Sequence, residues 1–167
     1  RMIRKAVTTF VLLLGLASIS ESAKLTGKFE LDASTGYLRS TGQSFQLYGI
    51  RVIDRDRQCI ANERIWTCGK AAHQALLNYV ENESLVCILL PAGNGPDTGP
   101  PAGECFLGTH SVNAQLVADG WALTAADIPA PYRKEALAAQ QNVEGIFRGG
   151  FVPPDEWRPK FGAQLED

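Results

Sequence analysis

A chain of 167 residues, 45% apolar and 20% charged, can bury one sizeable core and needs no second. Its formal net charge of −2 gives no basic field of the kind that draws proteins non-specifically onto a polyanion. Nucleic acid is therefore not implied by charge, and is not expected as a partner.

The N-terminus reads as a processing signal. Arg1, Arg4 and Lys5 precede an uncharged, mostly apolar run from Ala6 to Ile19, followed by small residues at Ser18, Ser20, Ser22 and Ala23. The run is shorter than the roughly 20 apolar residues that span a bilayer comfortably, so a cleaved signal peptide over 1–22 is expected, with a retained anchor as the alternative. Cleavage after Ser20, Ser22 or Ala23 is compatible with this pattern. Residues 23–167 then form a single exported domain with no stable membrane span. Removing 1–22 leaves 13 Lys+Arg against 17 Asp+Glu, a net charge of −4.

"KLTGKFELD" places Leu25, Gly27, Phe29 and Leu31 on one face at period two, as a half-buried strand requires. "STGYLRSTGQSFQLYGI" extends the β character through a turn at Thr41–Gly42. From Asn62 the apolar period changes: Ile65, Ala72, Leu76 and Tyr79 fall at helical intervals, with Asn62 as candidate N-cap. "SLVCILL" and "ECFLG" are short apolar runs separated by "PAGNGPDTGPPAG", which reads as a long hairpin loop. "SVNAQLVADGWAL" predicts a short helix capped by Ser111 and stopped at Gly120, then a strand through Trp121 and Leu123. "PAPYRKEALAAQQNVEG" predicts a last helix with Tyr132, Ala136, Ala139 and Val143 on one face and Gly145 as its stop. There is no internal repeat, P-loop, GxGxxG or nucleophile elbow.

Cys59, Cys68, Cys87 and Cys105 form an even set, which after export reads as disulfides. Of the three possible pairings, Cys59–Cys68 is favoured as a short staple from a strand exit to a helix. Cys87–Cys105 is favoured because both lie in the two arms of the predicted hairpin. The separations are too long for the paired-cysteine pattern of a zinc site, and His73 and His110 read as surface or boundary residues.

The element order, with "LYGI" before a cysteine, "WTCGKAAHQAL", "NAQLVADGWAL", "YRKEALAAQQNVEGIF" and "FVPPDEWRP", resembles the staphylococcal nuclease-like (thermonuclease) family over roughly 24–159. The resemblance implies an α+β fold: a five-stranded OB-type β-barrel with three helices. It also implies calcium-dependent phosphodiester hydrolysis, for which the family uses Arg-Leu-x-Gly-Ile-Asp-Ala-Pro-Glu at the end of a strand. In "QLYGIRVID" the phosphate-binding arginine falls on Gln46, the metal-binding aspartate on Arg51 and the water-activating glutamate on Asp54, with Val52-Ile53 in place of Ala-Pro.

The family's Asp-Gly-Asp-Thr turn falls either on 34–37, with Gly36 at the second aspartate, or on "DAST", 32–35. Its second phosphate-binding arginine falls on Pro100. Gly36, Arg51 and Val52 are thus degenerate metal positions, and Gln46, Asp54 and Pro100 degenerate catalytic ones. A cation at a metal-ligand position cannot coordinate a cation, and losing several such groups together removes orders of magnitude in rate.

No catalytic or metal residue is therefore assigned, and no cofactor is expected; Ca2+ belongs only to the alternative of a divergent nuclease using Asp32, Asp54 and Asp56. The preferred reading is a monomeric binding module whose cleft, around Gln46, Tyr48, Arg51 and Asp54, takes an anion or a protein partner. A second alternative is an envelope structural component that uses the barrel surface and the Ala92–Gly103 loop. The charged run Arg51, Asp54, Arg55, Asp56, Arg57 reads either as a solvated, self-neutralising surface or as the rim of that cleft. Tyr48 reads as core packing first and cleft wall second. Trp66, Trp121 and Trp157 read as core and helix-docking residues, with no aromatic–basic alternation of the kind single-strand binders use.

Overall fold

The structure is a computed structural model that describes residues 22–91, 99–125 and 131–149. The signal reading, most of the Ala92–Gly103 loop and Trp157 fall outside the described residues.

The opening strand forms with the predicted alternation but is split: β1 covers Lys24–Gly27 and β2 Glu30–Leu31, with Phe29 buried between them. Gly27, at φ +140°, marks the break. β3 (Leu38–Ser40) and β4 (Gln43–Leu47) form a tight hairpin. Its two turn residues, Thr41 and Gly42, both have positive φ, as the hairpin turn matching strand twist demands. Next come β5 (Ile50–Val52), β6 (Cys59–Ala61), β7 (Arg64–Trp66) and helix α1 (Cys68–Val80). β8 (Leu85–Leu89) and β9 (Ala102–Leu107) are the arms of the predicted hairpin, with Cys87 opposite Cys105. The short β10 (His110–Ser111) leads into α2 (Val112–Ala118), followed by β11 (Ala122–Thr124) and α3 (Arg133–Gln141).

Seven strands form one mixed sheet in the order β1-β8-β9-β4-β3-β2, with β10 added beside β9. Its edge strands, β1 and β2, are separated by only two residues of chain, so the sheet must curl to bring its ends together. The concave side holds Phe29, Leu38 and Phe45 from the sheet and Leu76 and Val80 from α1. Phe29 and Phe45 meet edge to face at 5.5 Å. Each such buried side chain contributes about 1.5–3 kcal/mol relative to exposure. The α+β class therefore holds, with three α-helices among the described residues and a curled sheet that hydrogen bonding divides into seven short strands.

Both favoured disulfides are present, Cys59–Cys68 and Cys87–Cys105, and fit an oxidising compartment. Among the described residues no helix is long and apolar enough to cross a membrane.

Three local expectations need correction. Asn62 does not cap a helix: Asn62 and Glu63 both have positive φ and form the two-residue turn joining β6 to β7, and α1 starts six residues later. Asn tolerates this conformation, and β-branched Ile60 and Ile65 pair across the ribbon, so strand pairing overrides the helical spacing. The second correction concerns α3, which stops at Gln141, with Val143 half exposed at φ +58°. The Val143 N–H reaches the Gln140 carbonyl and the Glu144 N–H the Ala139 carbonyl, a Schellman closure with a β-branched residue where glycine is usual. Finally, His73 is buried rather than on the surface, 5% exposed on the inner side of α1.

Candidate functional site

The cleft is built where the chain leaves one sheet for another. β4 runs parallel to β9 with Gln46 opposite Ala102 and Leu47 opposite Gly103; the Tyr48 N–H then donates to the Gly103 carbonyl at 2.8 Å. At Gly49 (φ +70°) the backbone turns away, and β5 pairs with β11 instead, Arg51 opposite Leu123. Any Cβ at Gly49 would collide with the Pro131 ring, so this crossing admits only glycine.

Departure of β4 leaves the next donor on β9, the Cys105 N–H, without a strand neighbour on that side. Asn113 of α2, fully buried, fills the gap: its Oδ1 accepts from Cys105 N at 3.1 Å, while its Nδ2 donates to the Tyr48 and Gly103 carbonyls at 3.0 and 3.2 Å. This one side chain fixes the back of the cleft. In the sequence it looked like any polar helix residue, and nothing there flagged it.

The cleft so formed has a volume of about 350 Å3, lined by Gly36 and Tyr37 from the turn before β3, by Gln46 and Tyr48, and by Arg51, Val52 and Asp54. All four predicted cleft candidates, Gln46, Tyr48, Arg51 and Asp54, line it together. Tyr37, half-buried, is an addition that sequence reasoning missed.

Positions that resemblance assigned to one site do meet in space. The Gln46 Nε2 donates to the Pro100 carbonyl at 3.1 Å across 54 positions of chain, and the backbone N–H of Gln46 donates to Pro101 O at 2.9 Å. Gln46 and Pro100, where the resemblance would put the two phosphate clamps, thus neighbour each other through a neutral tie at the base of the β8–β9 loop. Gly36 and Val52 also meet: a Cβ at Gly36 would lie 3.1 Å from Val52 Cβ, and its φ of +73° already disfavours other residues. A side chain at 36 would take a φ that L residues rarely adopt and would crowd Val52, which itself offers only methyl groups.

Asp32 is committed to its own turn. Its Oδ1 accepts from Ser34 N at 2.9 Å, Ser34 Oγ at 2.6 Å and Thr35 N at 3.3 Å, and its Oδ2 pairs with Arg39 Nη2 at 2.7 Å. The Ser34 hydroxyl, helped by these backbone donors and Arg39, holds its carboxyl down at about 2. Asp54, Arg55 and Asp56 are exposed on a turn closed by Arg57 N donating to Asp54 O at 2.9 Å. That turn sits on α1 at Gly69, where a Cβ would strike the Asp54 carbonyl. Beneath it His73 is hydrogen-bonded to the Ile53 backbone, and burial pushes its ring below the usual imidazole range. Among the described residues no group of three or more His, Cys, Asp or Glu side chains is placed to hold a metal ion.

Glu104 of β9 accepts from Ser111 Oγ at 2.9 Å and from the Tyr132 hydroxyl at 3.1 Å, tying the start of α2 to the start of α3. Burial pushes the Tyr132 phenol well above its ordinary range, with the neighbouring Glu104 adding to it, so Tyr132 is a donor in this network. Trp66 and Trp121 pack against the second apolar cluster, with Arg148 stacked 5.8 Å over Trp121, in keeping with their reading as packing residues.

No model of a known protein family matches the chain, and no curated protein matches its sequence.

Proposed function

We propose that this chain is an exported, OB-type barrel domain of the staphylococcal nuclease-like kind whose cleft binds rather than cuts. The observation that carries the reading is the Gln46–Pro100 hydrogen bond. It joins the two positions at which the resembling family clamps phosphate and uses them to fasten a loop. Val52 against Gly36 supports the same conclusion at the metal positions.

A concave surface remains, with the Arg51 guanidinium, the Gln46 amide and the tyrosines 37 and 48 on its walls. Such a set suits a small oxyanion or an acidic protein side chain, recognised by charge-assisted hydrogen bonds without a metal. The disulfides support a periplasmic or secreted location. The divergent-nuclease reading gains no support: its proposed ligand Asp32 is saturated by Ser34, Thr35 and Arg39.

The test is a titration of the isotope-labelled protein with inorganic phosphate and, separately, with glutarate. Saturable shifts at the Gln46 side-chain amide and the Tyr48 backbone, lost in Arg51→Glu, are expected. Shifts that do not saturate, or that Arg51→Glu leaves intact, overturn the reading.

A further inference from the structure

Among the described residues two polar side chains are buried, Asn113 and His73. Asn113 uses both its amide oxygen and its amide nitrogen on the sheet. His73 is only half used: one ring N–H goes to the Ile53 carbonyl, and no described residue donates to the other ring nitrogen. Burial holds the ring below the usual imidazole range, so at neutral pH it carries no second proton, and that nitrogen presents a lone pair. A buried polar atom without a partner calls for an explanation.

His73 lines a second cavity, of about 470 Å3, between two turns. One wall is Ala33, Ser34 and Thr35, in a turn closed by the Gly36 N–H donating to the Asp32 carbonyl at 2.8 Å. The other is Asp54, Arg55 and Asp56, in the turn that the Gly69 N–H fixes to α1 by donating to the Arg57 carbonyl at 3.0 Å. Both walls are thus held before any ligand arrives.

The chemistry of this cavity is the reverse of the cleft's. Two carboxylates and a neutral imidazole nitrogen, all acceptors, face it against a single cation, Arg55. Among the described residues no three such side chains close tightly enough to hold a metal ion. An ammonium is less demanding, because it takes acceptors at about 2.7–3.0 Å where calcium requires about 2.3–2.6 Å. It also brings three donors and no acceptor, on a flexible stem that reaches into a pocket.

We infer that this second cavity binds the ammonium group of an alkylamine, carried by a lysine side chain or a free polyamine. The ammonium donates to the second ring nitrogen of His73 and is neutralised by Asp54 and Asp56. The inference does not rest on the cleft reading: the two cavities share Gly36, Val52 and Asp54, but neither Arg51 nor Gln46 lines the second.

The test uses the full chain isotope-labelled at histidine; His73 and His110 are its two histidines, so His110→Gln assigns the His73 ring nitrogens. Titration with butylammonium at neutral pH is expected to move the second ring nitrogen saturably, and uncharged butyramide is expected to leave it in place. In Asp54→Asn/Asp56→Asn, at two exposed positions, binding is expected to weaken about tenfold, whereas Arg55→Ala, which removes the competing cation, tightens it. Tighter binding of Nα-acetyl-lysine methylamide than of putrescine assigns the ligand to a protein side chain, and the reverse order assigns it to a free polyamine. A ring nitrogen that butylammonium leaves in place, or that butyramide moves equally, overturns the inference. So does binding that the double variant leaves unchanged. A saturable shift produced by calcium would assign the acceptors to a metal ion and equally overturn it.

Discussion

Replacing Asn113 by alanine tests whether one buried amide holds the cleft wall to the sheet. The substitution strips the Cys105 N–H and the Tyr48 carbonyl of their Asn113 partners, while the Gly103 carbonyl keeps the Tyr48 N–H at 2.8 Å. Each buried group left unsatisfied costs about 1–3 kcal/mol, so Asn113→Ala is expected to lose about 3–5 kcal/mol. The scale for comparison is Ser111→Ala. Ser111 Oγ accepts from Ala114 N at 3.1 Å as the cap of α2 and donates to Glu104 at 2.9 Å; losing the cap costs about 1 kcal/mol and losing the second bond about 0.5–1.5 kcal/mol more. Urea unfolding with an unchanged slope reads the difference, and amide exchange at Cys105 reads its location. Asn113→Asp is no rescue, because it keeps the acceptor but loses both donors and introduces a buried charge. A loss below about 1 kcal/mol for Asn113→Ala would refute the reasoning, since it would mean that strand or water hydrogen bonds replace the amide.

Val143→Gly is expected to stabilise the protein by about 1 kcal/mol, because a β-branched residue at φ +58° carries strain that glycine lacks; equilibrium unfolding checks the sign. Asp32, held at about 2 against an ordinary 3.8, binds protons less readily folded than unfolded. Its contribution is therefore fully present above pH 3.8 and lost as pH falls towards 2, so the stability gap between wild type and Asp32→Asn should close over that window. His73 is lowered from 6.5 mainly by burial, so its unfolded form takes up the proton first. Stability should fall as pH drops through 6.5, and His73→Gln should flatten that slope.

The local pairings were legible because the chemistry that makes them is local. Alternation at Leu25–Leu31, the turn at Thr41–Gly42, the apolar arms around Cys87 and Cys105, and the Ser111 cap each state their conformation within a few residues. Asn62 misled because Asn serves equally as a helix cap and as a positive-φ turn residue. Only the pairing of Ile60 with Ile65, closed by Cys59–Cys68, decides between them. What remained hidden was non-local: the parallel meeting of β4 with β9, the Asn113 bridge this requires, the burial of His73 and the Gln46–Pro100 tie. The identities of Gln46, Arg51 and Pro100 were readable, whereas the proximity of Gln46 to Pro100, and the packing of Gly36 against Val52, required coordinates.

The central claim is that the cleft binds without cutting. It is tested most directly by incubating the purified protein with single-stranded DNA and RNA, with calcium and with chelator, beside an Asp54→Ala variant. The account predicts that calcium, chelator and Asp54→Ala each leave the substrates as intact as the buffer control does. Chelator-sensitive cleavage that Asp54→Ala abolishes would contradict it.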